Sequence, residues 1–337
     1  MKGVSIIVCC YNSVTRLTPT LAHLAKQDFQ YPWEVIIVDN ASTDGTGNWA
    51  AQEWSRFNLS SIGFKVVQES NPGLSSARKK GVLESQYEYI LFCDDDNWLT
   101  PNYVSTAFLI MEENPEIGLL GGRNLLASDV PPPPWFFDYS MCFAIGEQGK
   151  ESGDITETKE NVWGAGMVIR TKILKEVFEL DYQFTTSDRK GASLVGGGDW
   201  EISYLARFMG YKFWYSSELV LHHYMPETRF QRKYLLKLVY SFGLSDVHLQ
   251  HYYYFVKDKN LTTIHPYRLI LAQTKPFVSS LIKWVIGKDR LRNQAVIHVV
   301  AGKVVGLLRY GNLIENNYKL LQNQLKSIKF ISHQSVS

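Results

Sequence analysis

Cysteine is scarce in this 337-residue chain. There are four, Cys9, Cys10, Cys93 and Cys142, with no CxxC pair among them. Cys9 and Cys10 fall in an apolar run expected to be a buried strand, so no disulfide framework is implied and a reduced, intracellular protein is expected. Long apolar runs are missing as well. No window reaches the roughly 18 uninterrupted apolar residues of a membrane-spanning helix, and the opening MKGVSIIVCCYN has too short an apolar run, and no small-residue cleavage site, for a secretory leader. Internal repeats are absent, and the one low-complexity run is PPPP at 131–134. Net charge is nearly absent too, 35 Lys and Arg against 33 Asp and Glu, but two unlike parts cancel to give that figure. Residues 1–225 carry 18 against 28 (net −10), and residues 226–337 carry 17 against 5 (net +12). An acidic body with a basic tail implies that the two parts meet different partners.

What the chain does have is apolar and aromatic residues, at 45% and 13%, enough to build a large packed core. The first 125 residues alternate strand and helix signals. VSIIVCC, WEVIIVD, FKVVQ and YEYILFC read as strands; VTRLTPTLAHLAKQ, GTGNWAAQEWSRF and LSSARKKGVLES read as the helices between them. A further helix over NYVSTAFLIMEE is expected to be capped by Thr100 with Pro101 at its first position. Strands alternating with helices imply βαβ units and a mainly parallel sheet, and such sheets bind ligands at the carboxyl ends of their strands. Residues 126–160 lose the pattern, which points to a functional loop. VWGAGMVIR restores a strand, DWEISYLARFMG a helix, and YKFWYSSELVLHHY one or two strands. After residue 226 the chain is expected to be helical. Its stretch 267–311 interleaves Lys and Arg with large apolar residues, as in a segment lying on an anionic membrane surface; the alternative is a helical cap with a solvated basic face.

The run YILFCDDDNWLTP poses a problem, because three adjacent carboxylates, Asp94, Asp95 and Asp96, end an apolar strand. Like charges about 4 Å apart repel by roughly 1 kcal/mol in water and about 4 at an effective dielectric of 20, so solvation or a cation is needed there. An EF-hand is excluded, since its Gly and Glu positions are Leu99 and Ser105. At the ligand-binding edge of a parallel sheet, Asp94-x-Asp96 suits Mg²⁺ or Mn²⁺ shared with substrate phosphates.

In their order, SIIVCCYNS, EVIIVDNASTDGT, NPGLSSARKKGV, FCDDDNWL, WGAGMVIR, GGGDWEISYLARFMGYK and LHHYMPETR resemble glycosyltransferase family 2 over about residues 3–245. These are inverting nucleotide-sugar enzymes of the GT-A fold. The resemblance implies a Rossmann-like, mainly parallel α/β sheet flanked by helices over 1–225, with a nucleotide-sugar half (about 1–125) and an acceptor half (about 126–225). The basic helical region 226–337 would follow it. The resemblance also assigns residues. Cys9, Tyr11 and Asn12 would lie against the nucleotide base, and Asp39 would accept a hydrogen bond from uracil N3–H. Arg78 would approach base and diphosphate, although Lys79 stands where the family has Asn. Asp94 and Asp95 would contact ribose or metal, and Asp96 would ligate the metal with His223. Asp199 would be the general base, with Gly198 in place of the usual Glu, and its place at a helix start favours the ionised form. On the acceptor side stand Trp163, Gly164, Trp200 and Glu201, and Trp135 and Phe136 are further candidates for stacking on sugars.

The implied reaction moves a sugar from a nucleoside diphosphate, preferably UDP, to a hydroxyl of a saccharide or lipid-linked saccharide. Mn²⁺ or Mg²⁺ would assist, at the inner face of a cell membrane. Two rivals are weaker. A sugar nucleotidyltransferase leaves Asp199 and WGAGM without a role, and a non-catalytic membrane-surface scaffold would not need Asp39, Asp94, Asp96, Asp199 and His223 together.

Overall fold

The computed structural model describes residues 1–179, 182, 184–186, 194–258 and 264–334, with side chains described as far as 326. It divides into two compact units, Met1–Asp181 with Ile202–Pro226, and Tyr182–Glu201 with Glu227–Ser337.

In the first unit, strands β1 (Val4–Cys10), β2 (Trp33–Asn40), β3 (Gly63–Glu69) and β4 (Tyr89–Asp94) pair in parallel in the order β3-β2-β1-β4. Helices α1 (Leu17–Leu24), α2 (Thr46–Ser55) and α3 (Leu74–Glu84) connect them. All eight residues of β2 are buried, as expected for a parallel strand covered on both faces. A buried Glu34 is tolerated there because Ser5 Oγ donates to it at 2.7 Å and Gln86 N–H at 2.9 Å. The sheet continues past β4 through β8 (Val168–Arg170), β6 (Ile117–Ala127), the thirteen-residue β9 (Lys212–Tyr224) and β5 (Asn97–Leu99), with β7 (Gly153–Asp154) on β9.

Three local expectations are corrected. Helix α4 spans Tyr103–Glu113, with Asn102 rather than Thr100 at its cap position. Thr100 Oγ1 donates instead to the Val220 carbonyl of β9 at 2.8 Å, so its hydroxyl is committed to the sheet. The strand expected over VWGAGMVIR begins only at Val168. Upstream, Gly166 adopts φ +79°, and a Cβ there would come within 2.5 Å of both Tyr103 Oη and Leu221 Cδ2, so the chain turns where a strand would collide. The irregular stretch 126–160 contains a 3₁₀ helix over Pro134–Phe143 whose Phe136 is fully buried, which removes Phe136 from the sugar-stacking candidates.

Helix α5 (Thr171–Glu179) follows β8, and α6 (Gly198–Phe208) precedes β9. The second unit is built on α7 (Arg232–Lys257), with α8 (Pro266–Ala272), α9 (Thr274–Val285), α10 (Arg290–Tyr310) and α11 (Leu313–Gln334). Glycines let α7 and α10 touch backbone to backbone. A Cβ on Gly243 would lie 2.0 Å from the Val299 carbonyl, and one on Gly302 2.0 Å from the Tyr240 carbonyl.

His251 of α7 is 1% exposed, and burial lowers its pKa to about 3. Unfolded, an imidazole titrates near 6.5, so the unfolded chain binds the proton first as pH falls. The stability His251 contributes is therefore present above about pH 6.5 and lost towards pH 3, by about 1.4 kcal/mol per pH unit. Urea unfolding of this unit is expected to be nearly independent of this group above about pH 6.5 and to approach that slope as pH falls towards about 5, and His251→Phe is expected to flatten it. An identical slope in the variant would refute the assignment.

Candidate functional site

The parallel register brings the acidic residues to one edge. Cys10 lies beside Asp39 of β2, and Cys9 lies beside Asp94 of β4. The two carboxylates thus flank the carboxyl end of β1. Beyond Asp94 the chain turns through Asp95 and Asp96 into β5, whose antiparallel register with β9 sets Asn97 opposite His223 and Trp98 opposite His222. Side chains alternate along a strand. His223 is consequently the histidine turned to the acidic turn, its Nε2 3.3 Å from Asp96 Oδ1, and both side chains are buried. Asn97, fully buried, fixes the turn: its Oδ1 accepts the Asp94 N–H and its Nδ2 donates to Asp96 Oδ1, each at 3.2 Å.

Asp95 is turned another way. Its Oδ2 accepts from Ser13 Oγ and pairs with Arg16 Nη2 at 2.7 Å. Burial pushes this carboxyl above the usual carboxylate range against the pull of Arg16 and Ser13, and Asp96 adds to the push. Part of the carboxylate problem is thus answered by a cation of the chain itself. Arg16 also donates to the carbonyls of Tyr11 (3.0 Å) and Asn12 (3.1 Å), so it ties the loop after β1 to the acidic turn. Reading the sequence missed Arg16, Ser13 and Asn97. Arg16 had a signal in the need for a cation near three carboxylates, but nothing in VTRLTPT marks it as the partner.

Asn12 holds a left-handed backbone (φ +49°), which Asn tolerates. Its Oδ1 accepts the Thr43 N–H at 2.8 Å and its own N–H donates to Ser42 Oγ at 3.0 Å, joining the loops that follow β1 and β2. Tyr11 is 45% exposed beside them. Asp39 accepts from Ser42 N–H (3.3 Å), Gly47 N–H (3.2 Å) and Gln68 Nε2 (3.0 Å). A carboxylate offers about four acceptor positions, so a further donor fits. Arg78 is buried with its guanidinium over the Phe92 ring, 5.1 Å from the centroid, so it offers little of its charge to solvent.

Trp163 N–H donates to Gln148 Oε1 at 2.8 Å, and the Lys159 ammonium lies 5.7 Å from its ring centroid; Gly164 is buried beside it. In the second unit, Asp199 and Trp200 are half-buried in the first turn of α6, and Asp199 Oδ1 accepts the Trp200 N–H at 3.0 Å.

Glu201 requires a correction. It is fully buried, and its carboxylate accepts from the Thr185 N–H (2.7 Å) and hydroxyl (2.7 Å), the Thr186 N–H (3.0 Å) and hydroxyl, and Tyr252 Oη (2.8 Å). An acceptor sugar cannot reach it.

A divalent cation fits the Asp96–His223 pair. Ligands near 2.1 Å from Mg²⁺ at right angles lie roughly 3 Å apart, close to the 3.3 Å observed. Among the described residues no group of three or more His, Cys, Asp or Glu could hold a metal, so its remaining ligands would be phosphate and water oxygens, the usual arrangement for Mg²⁺.

The chain matches the family model described as "Glycosyl transferase family 2" over residues 5–178, just over half its length. EpsH of Bacillus subtilis is 34% identical over 101 residues, covering 30% of this chain and 28% of that protein. The poly(ribitol-phosphate) beta-N-acetylglucosaminyltransferase TarS of Staphylococcus aureus is 30% identical over 115 residues, covering 34% and 20%. The matched portion thus spans less than a third of these relatives' length. Among solved structures, the chain aligns with TarS 1-349 of S. aureus at a TM-score of 0.50 and 19% identity (97% of this chain, 92% of that one). It aligns with a mannosyltransferase of Pyrobaculum calidifontis, in complex with GDP-Man and Mn²⁺, at 0.52 and 17% (98% and 85%). At these identities the structural likeness is one of fold.

Proposed function

The chain belongs to glycosyl transferase family 2, and on that premise we propose that it transfers a sugar from a nucleoside diphosphate to a saccharide hydroxyl, with inversion. The observation that carries this reading is the pairing of Asp96 with His223 at the sheet edge that also bears Asp39 and Asp94. Asp96 and His223 would hold Mn²⁺ or Mg²⁺, which when bound supplies Lewis-acid stabilisation of a departing diphosphate. Asp39, with one acceptor position left, would take the imino N–H of a uracil, which favours UDP as carrier. Tyr11 and Cys9 would border the base, and Asp94 the ribose. The ion pair of buried Asp95 with the half-exposed Arg16 gives it a positioning role, holding the loop that carries Tyr11 and Asn12.

Asp199 is the proposed base. Two features support it: the GGGDWE motif, and its place in the first turn of α6, where the helix N-terminus favours a carboxylate. It would take the proton of the acceptor hydroxyl as that oxygen attacks the anomeric carbon from the face opposite the leaving diphosphate. Trp163 and Trp200 are the candidates for the acceptor sugar's apolar face.

Incubation with UDP-, dTDP- and GDP-sugars, following released nucleotide, tests the reading. Asp199→Asn is expected to lower turnover roughly 10²–10⁴-fold, the usual worth of a general base, with nucleotide affinity unchanged. Unchanged turnover would remove Asp199 from the base role.

A further inference from the structure

We propose that the segment from α8 through α9 to the start of α10 docks the protein on an anionic lipid bilayer. It rests on the surface of the second unit alone and is independent of the sugar-transfer reading.

The observation is an inverted helix. In a helix packed on a soluble protein, apolar residues face the core and polar ones face water. Helix α9 does the opposite. Ser280, on its inner side, is 7% exposed, whereas Val278, Ile282 and Val285, which share the opposite face at helical spacing, are 51%, 56% and 67% exposed. The ten residues Leu281 to Arg290 are all exposed, and among them Trp284 and Ile286 extend the apolar surface. Helix α8 adds Tyr267 and Leu271, at 54% and 62%. Apolar patches of this kind on a water-soluble protein mark a surface that something covers.

Charge identifies the occupant. Residues 266–292 carry six cations, Arg268, Lys275, Lys283, Lys288, Arg290 and Arg292, against one acid, Asp289. Among the described residues none of the six makes an ion pair, while lysines elsewhere in the same unit do: Lys303 with Asp246 at 2.7 Å, and Lys319 with Glu315 at 2.6 Å. A protein partner that buried the apolar face would also have to desolvate or neutralise these cations. An interface of anionic headgroups over acyl chains meets both demands, with apolar side chains dipping below the headgroups and cations level with them. Among the described residues no helix is long and apolar enough to cross a membrane, so the mode is surface docking. The face is also narrower than the basic stretch 267–311 read from sequence, because α10 packs Ala295, Val300 and Leu307 inward and closes on α7 through Gly302.

The test is co-sedimentation of the full chain with phosphatidylcholine vesicles, with and without phosphatidylglycerol. Two surface variants accompany it, Lys283→Gln/Lys288→Gln/Arg290→Gln and Val278→Asn/Ile282→Asn/Val285→Asn. Binding is expected only to the phosphatidylglycerol vesicles and is expected to weaken with salt. The charge variant should lose on the order of a hundredfold in affinity, at about one kcal/mol per basic residue, and the apolar variant at least tenfold. Equal binding to both vesicle types, or to neither, would overturn the proposal. So would a wild-type dimer in sedimentation equilibrium that the Asn variant dissociates, since a second copy would then be the occupant.

Discussion

Asp96→Asn is expected to reduce sugar transfer roughly 10²–10³-fold, the scale of removing one electrostatic contact to a developing negative charge, and to leave the fold intact. The substitution keeps an oxygen for the Asn97 side-chain donor at 3.2 Å and removes the negative charge beside His223 Nε2. Asp95→Asn is expected to behave differently. Its partners are Arg16 and Ser13, so it should loosen the loop after β1 and raise KM for the donor more than it lowers kcat. Nucleotide release from UDP-sugar by the two variants, measured with saturating Mn²⁺, checks both. If Asp96→Asn turned over like the wild type, the leaving group would not be stabilised at this turn.

Glu201→Ala is expected to cost stability rather than chemistry, by about 3 kcal/mol or more. The Ala variant leaves the Thr185 and Thr186 N–H groups and the Tyr252 hydroxyl without their buried acceptor, at roughly 1–3 kcal/mol for each unsatisfied group. Glu201→Gln keeps the shape but turns an amide towards one of these donors, so an intermediate loss is expected. Urea unfolding of the second unit measures it. Undiminished stability with lost acceptor affinity would return Glu201 to the role of a sugar ligand, against its complete burial.

The strand-and-helix order of the first 125 residues was legible because apolar runs end at polar or acidic residues or, after the third strand, at Asn71-Pro72-Gly73, and parallel pairing then puts Asp39 and Asp94 on one edge without further information. His223 was read from its motif, and the structure adds its placement: the β5–β9 register sets it opposite Asn97 and turns the neighbouring His222 opposite Trp98. Hydrogen bonds between residues distant in sequence were not legible. Thr100 looked like a helix cap, but its hydroxyl meets the Val220 carbonyl 120 residues on. Glu201, two residues from Asp199, looked like an acceptor ligand. Its fate is set by Thr185, Thr186 and Tyr252, which local periodicity does not bring together. Asp95 read as a third carboxylate of one cluster, and only the path of the loop after β1 reveals Arg16 as its partner. Likewise the basic tail read as uniformly amphipathic, whereas the packing of α10 on α7 leaves α8 and α9 with the exposed apolar face.

On the proposed function, the Asp96–His223 edge would hold a metal and a nucleoside diphosphate together. Calorimetric titration of UDP into the full chain, with and without Mn²⁺, and into Asp96→Asn under the same conditions tests it most directly. UDP binding is expected to be tightened by Mn²⁺ in the wild type, with that gain lost in the variant. UDP binding equally strong in all arms, or none in any, would contradict it.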